Sequence, residues 1–185
     1  MLHLTSGPAR ATIDPGVGAG MVALTWGDIA ILSTGAGRAD GPFAQGMNLL
    51  LPFSNRISRP FAFGGATYAL PINLPGEPFP IHGDAFQVPW QVDELTADSA
   101  TLVVQAGQGP YRYDARVTYR LAADGLQANV LITNRAAITL PYGGGFHPWF
   151  PRHPTTQMQF AALGHWPEDA RHLPATLEPV PAPPD

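Results

Sequence analysis

Apolar and polar positions alternate with period two from residue 112 to 133. Tyr113, Ala115, Val117, Tyr119 and Leu121 are interleaved with Arg112, Asp114, Arg116, Thr118 and Arg120. That period puts one set on a buried face and the other in water, so the segment predicts β-structure. Asp124-Gly125 carries turn chemistry, and Leu126, Ala128, Val130 and Ile132 resume the alternation, which predicts a β-hairpin. Residues 21–26 and 28–34 are two short apolar runs parted by Gly27. They predict paired or consecutive buried strands, with a loop over 35–41. Residues 68–73, 86–92 and 100–106 are further strand candidates, and Pro89 confines the second of these to an edge or a bulge. One helical turn is expected at 168–172. Beyond residue 156 the pattern fades, and Pro174, Pro179, Pro181, Pro183 and Pro184 predict an extended connection over about 174–185 rather than a closing strand.

A length of 185 residues predicts one domain over 1–185, large enough to bury a core without metal or disulfide support. Gly at 20 and Pro at 21 interrupt helices and mark turns. With many short strands, they predict an all-β fold, an antiparallel β-sandwich rather than a parallel βαβ sheet. Ten basic against 14 acidic residues, a net charge of −4 and only 13% charged residues exclude a nucleic-acid binder held by phosphate contacts. The absence of Cys removes disulfides, thiolate catalysis and Cys-based zinc sites. No run approaches the ~20 apolar residues of a membrane-spanning helix. The first eight residues carry neither a basic region nor an apolar run, so a cytoplasmic, soluble protein without membrane association is expected.

Three clusters place reactive side chains among apolar or Gly/Pro-rich neighbours: 52–57 around Asn55 and Arg56, 81–84 around His82, and 141–150 around His147 and Trp149. Arg56 is flanked by Phe53, Ile57, Phe61 and Phe63. Its five fixed donors suit hydroxyls or a carboxylate, on a ligand or on the protein itself. An imidazole at His82 can act as acid, base or neutral donor near pH 7, or serve as a satisfied structural group. His147 follows three glycines and is hemmed by Phe146, Pro148, Trp149 and Phe150. This arrangement fits either a ligand approached closely by backbone, with aromatic faces against a sugar ring, or an aromatic corner of the core. His82 and His147 come without HExxH or a carboxylate at ligand spacing, so no metal is expected. His153, His165 and His172 read as surface residues. Residues 143–145 lack the Lys-Ser/Thr ending of a phosphate loop, and no GxSxG occurs.

In order and spacing, these residues resemble the aldose 1-epimerase (galactose mutarotase) family. The match runs through Asn55-Arg56-Ile57, Tyr68-Ala69-Leu70, Asn73, Ile81-His82-Gly83 and Trp90. It continues with the strand pair ending at Asn134, then Pro141, Gly145 and His147-Pro148-Trp149-Phe150. The resemblance covers roughly residues 48–150. It implies a galactose mutarotase-like β-sandwich whose concave face holds a free aldose. A carboxylate there takes the anomeric hydroxyl proton while a His protonates the ring oxygen. The ring opens, the C1–C2 bond rotates, and closure gives the other anomer.

Carried over, His147 is the general acid, His82 hydrogen-bonds near the same part of the sugar, Arg56 binds hydroxyls, Asn55 shapes its loop and Trp149 lines the pocket. No cofactor is implied. Trp149 stands where the family commonly has Tyr. The family's general-base Glu lies in a C-terminal portion that these 185 residues do not match, so the sandwich expected here is incomplete. A non-catalytic carbohydrate-binding domain or an inactive relative is the alternative.

Overall fold

A computed structural model describes residues 1–33, 41–159 and 161–180. Contacts divide the chain into two compact units, Met1–Pro151 and Arg152–Asp185.

The first unit is built from two antiparallel sheets. One contains β1 (Leu2–Ser6), β2 (Ala9–Asp14), β3 (Gly20–Trp26), β5 (Met47–Leu50) and β12 (Gly145–Pro148) in that spatial order, with the two-residue β4 (Ile29–Ala30) paired to β3. The other runs β11 (Gly125–Asn134), β10 (Tyr113–Ala122), β9 (Ser99–Ala106) and β8 (Gln91–Leu95). A hairpin of β6 (Phe61–Phe63) and β7 (Ala66–Tyr68) stands apart. Among the described residues, the helical content is one 3-10 turn at Pro42–Ala44, and no helix is long and apolar enough to cross a membrane.

The alternation in 112–133 has the expected outcome. On β10 the side chains of Tyr113, Ala115, Val117, Tyr119 and Leu121 are buried while Arg116 and Arg120 are exposed. β10 pairs with β11 without a register shift. The loop is one residue earlier than the turn signal suggested: Ala122 pairs with Gly125, leaving Ala123 and Asp124 between the strands. The inner faces of the two sheets share one core, in which Leu4, Ala11, Ile13, Met21 and Leu49 meet Leu102, Val117, Tyr119 and Leu121. Each of the Leu, Ile, Val and Met side chains among them contributes roughly 1.5–3 kcal/mol when fully buried. The Tyr119 hydroxyl donates to the Ala19 carbonyl in the turn between β2 and β3 at 3.0 Å.

Several expectations need correction. Residues 86–92 do not form a strand. Ala85 and Phe86 are buried in a turn, and β8 begins only at Gln91, past Pro89, whose ring nitrogen cannot donate to a ladder. Of 68–73, only Tyr68 is in a strand. Pro71 interrupts the rest, and Asn73 is used as a side-chain clamp. The one helical turn expected at 168–172 is a turn closed by His172 N–H donating to the Asp169 carbonyl at 2.9 Å, since Asp169 Oδ1 captures the N–H groups of Arg171 and Leu173. His165 is half-buried rather than on the surface. The runs at 21–26 and 28–33 form the β3–β4 pair, but β4 is exposed rather than buried, because it pairs only with the end of β3; residue 34 and the expected loop up to residue 40 lie outside the described residues.

Candidate functional site

Two loops and one strand bring the candidate residues together. The loop after β5 and the loop around His82 are joined by a parallel bridge between Leu51 and Gly83 and an antiparallel bridge between Arg56 and Ile81. The N–H of Ile57 donates to the Pro80 carbonyl at 3.1 Å, and that of Asp84 to the Leu51 carbonyl at 3.0 Å. The approach at Gly83 is so close that a Cβ would run into the Leu51 carbonyl, and φ is +70°, so glycine is required on both counts.

Asn73 locks the second loop from beneath. Its Nδ2 donates to the carbonyls of Ile81, at 2.8 Å, and of Gly83, and its Oδ1 accepts the Ile81 N–H at 2.8 Å. His82, between those two residues, is thereby held at φ 60°.

Asn55 has φ 59° and is coupled to His82 reciprocally. The His82 N–H donates to the Asn55 carbonyl at 2.9 Å, and the Asn55 N–H donates to His82 Nδ1 at 3.0 Å. A ring nitrogen that accepts an N–H carries no proton, so neutral His82 is the Nε2–H tautomer. Burial is the main cause that lowers its pKa from 6.5 to about 4. His147 and Arg56 add to the drop, and Glu77 opposes it. His82 is therefore a neutral Nε2–H donor at pH 7.

His147 lies in a strand, β12, despite the three glycines that lead into it. β12 pairs with β5 so that His147 is opposite Asn48, and both side chains project from one face. Gly144 permits this: a Cβ there would meet the Leu50 carbonyl oxygen. The His147 ring packs 5.6 Å from that of His82 and 4.9 Å from the half-exposed Trp149. Among the described residues no hydrogen-bond partner occupies either His147 ring nitrogen. The two imidazoles thus differ in state, one tied through Nδ1 and the other open at both nitrogens.

Arg56 is largely buried, and it is paired. Nε donates to Glu77 Oε2 at 2.9 Å and Nη2 to Oε1 at 3.2 Å. Glu77 was not singled out from the sequence. Pro75-Gly76 just before it was a legible turn signal: Gly76 has φ +85°, and the Glu77 N–H closes the turn on the Leu74 carbonyl at 3.2 Å. Asp84 was likewise unassigned. Its two oxygens accept the Tyr113 hydroxyl at 2.7 Å and the Gly107 N–H at 2.8 Å, tying the His82 loop to β10. Both carboxylates of these loops are therefore committed to protein donors. Among the described residues, no group of three or more His, Cys, Asp or Glu could hold a metal ion.

A groove of about 600 Å³ lies elsewhere, on the outer face of the β8–β11 sheet, lined by residues including Val103, Gln105, Asp114, Arg116 and Leu131. None of the sequence candidates lines it. Arg116 there is paired with Asp93 at 2.6 Å. Titratable groups with open nitrogens converge at the histidine pair instead.

The family model for aldose 1-epimerase matches residues 4–183. The chain belongs to the aldose 1-epimerase family. Consistent with this, it is 38% identical over 125 residues to YphB of Escherichia coli strain K12, a match covering 67% of this chain and 43% of YphB. A candidate aldose 1-epimerase from Escherichia coli K12 superposes with a TM-score of 0.91 at 29% identity, covering 97% of this chain and 62% of that one. A galactose mutarotase-like protein from Clostridium acetobutylicum gives a TM-score of 0.76 at 23% identity, covering 96% of this chain and 60% of that one. The fold is thus the galactose mutarotase-like antiparallel β-architecture. This aldose 1-epimerase family chain spans less than two thirds of the length of these relatives.

Proposed function

We propose that this chain binds a free aldose at the His82–His147 pair and supplies the acid half of an anomer interconversion. The observation that carries the reading is the pairing of two imidazoles of unlike state, 5.6 Å apart, beside a fixed guanidinium. Ring opening requires a proton delivered to the ring oxygen and another taken from the anomeric hydroxyl. His147, open at both ring nitrogens, delivers the first. His82 donates from Nε2 to the same region of the sugar and, being neutral, does not compete for that role. Arg56 directs its remaining N–H groups at hydroxyls, Asn55 fixes the His82 tautomer, and Trp149 offers an aromatic face to the C–H side of the ring. Neither Glu77 nor Asp84 serves as the base, since their oxygens already accept from Arg56, Tyr113 and Gly107.

Exchange spectroscopy on the α and β anomers of D-glucose and D-galactose tests this reading. The protein is expected to accelerate exchange over buffer, and His147→Ala to remove the acceleration with the fold intact. Acceleration that survives in His147→Ala overturns the assignment. Saturable sugar binding without acceleration favours a non-catalytic carbohydrate-binding role, which the committed state of both loop carboxylates would explain.

A further inference from the structure

The Arg56–Glu77 pair has a consequence for which sugars the site admits. Glu77 takes Nε and one Nη2 hydrogen of Arg56, the side edge of the guanidinium. This leaves the two Nη1 hydrogens and the second Nη2 hydrogen at the far end. A bidentate contact fixes the plane of that remaining fork, which a lone, rotatable Arg would not have. It also cancels the cation. His82 is neutral at pH 7. Arg59, three residues on, is exposed and faces a separate depression with Pro60, Ile72, Pro78 and Phe79. The Arg56–His82 edge of the site is therefore rich in donors yet carries no net positive charge.

We propose that Glu77 is a positioning and specificity-determining residue: it orients Arg56 toward sugar hydroxyls and neutralises it, so that the site takes uncharged aldoses and disfavours sugars bearing a phosphate or carboxylate. This inference rests on the sugar-binding reading above. An anion approaching Arg56 meets a carboxylate already seated on the guanidinium, and juxtaposed like charges are penalised steeply where water is partly excluded. Without Glu77 the same Arg becomes an unpaired cation, an attractive seat for a phosphate.

The test is calorimetric titration of wild type, Glu77→Gln, Glu77→Asp and the Glu77→Gln/Arg56→Gln double variant with D-glucose, D-galactose and their 6-phosphates, at fixed ionic strength. Wild type is expected to prefer the free sugar. Glu77→Gln is expected to shift the ratio toward the 6-phosphate by roughly tenfold or more, and the gain should vanish in the double variant and shrink with added salt. Glu77→Asp keeps the charge but shortens the arm, so it should retain discrimination against phosphate while losing free-sugar affinity. An unchanged ratio in Glu77→Gln overturns the inference, as does a wild type that binds both sugars equally. Equal loss of selectivity in the Gln and Asp variants makes the role purely structural and overturns it too. Sugar bound by no variant overturns the underlying sugar-binding reading together with the inference.

Discussion

Asn73 clamps the His82 loop, and its removal is open to a direct test. Its amide makes three hydrogen bonds, donating to the carbonyls of Ile81 and Gly83 and accepting the Ile81 N–H. Both neighbours are buried, so water replaces these partners poorly. At about 1 kcal/mol per bond, and more for a buried group left unpaired, Asn73→Ala is expected to cost roughly 3 kcal/mol. Urea unfolding followed by the fluorescence of buried Trp90 should show a midpoint lower by about 1–2 M.

Asn73→Asp sharpens the argument because it is nearly isosteric. It keeps an acceptor for the Ile81 N–H but turns a carboxylate oxygen toward two carbonyls. At pH 7 it should destabilise at least as much as Ala, and the penalty should ease in acid as the carboxyl gains a proton. A midpoint for Asn73→Ala within about 0.3 M of wild type, or an Asp variant as stable as wild type at pH 7, would refute the clamp.

Two further expectations follow from the same geometry. Tyr119→Phe leaves the Ala19 carbonyl of the β2–β3 turn without its donor and should lower stability by about 1 kcal/mol, read as a urea midpoint, with sugar binding unchanged. His82 has a native pKa of about 4 against 6.5. The unfolded chain therefore binds the extra proton first, and stability present above pH 6.5 is lost as pH falls toward 4. The full difference corresponds to roughly 3 kcal/mol, and solvent around the half-buried ring brings it to about 1–2 kcal/mol. His82→Gln should flatten the pH dependence of unfolding by that amount between pH 7 and 4.5, whereas parallel curves for the two proteins would contradict the assigned environment of His82.

Much of this architecture is written locally. The β10–β11 hairpin is legible because Tyr113 through Leu121 alternate large apolar with charged residues, and that signal coincides with true burial. β2 carries the same period, with Ala9, Ala11 and Ile13 buried. Two of those three are alanines, too small for the pattern to stand out in sequence. β12 carries no strand signal of its own, since three glycines precede His147. Their effect is to admit β12 against β5, which depends on the Leu50 carbonyl lying opposite Gly144 and is not encoded nearby.

The site divides in the same way. His82, His147, Arg56, Asn55 and Trp149 stood out as residue types in unusual surroundings, and the fold brings the two imidazoles and Trp149 into ring contact. Their states were not legible. The His82 tautomer follows from an N–H in a different loop, and the neutralisation of Arg56 comes from a carboxylate 21 residues away. Side chains that act through a partner are specified by three-dimensional contact, and spacing along the chain does not report them.

A sugar bound at the proposed His82–His147 site would perturb both imidazoles. Long-range nitrogen-edited NMR resolves the ring nitrogens of the six histidines during a titration with D-glucose or D-galactose. His82 is expected as the Nε2–H tautomer at pH 7, with saturable shifts at His82 and His147 and none at His3, His153, His165 or His172. Saturable shifts confined to any of those four, or a silent His82–His147 pair with sugar demonstrably bound, would contradict the proposed site.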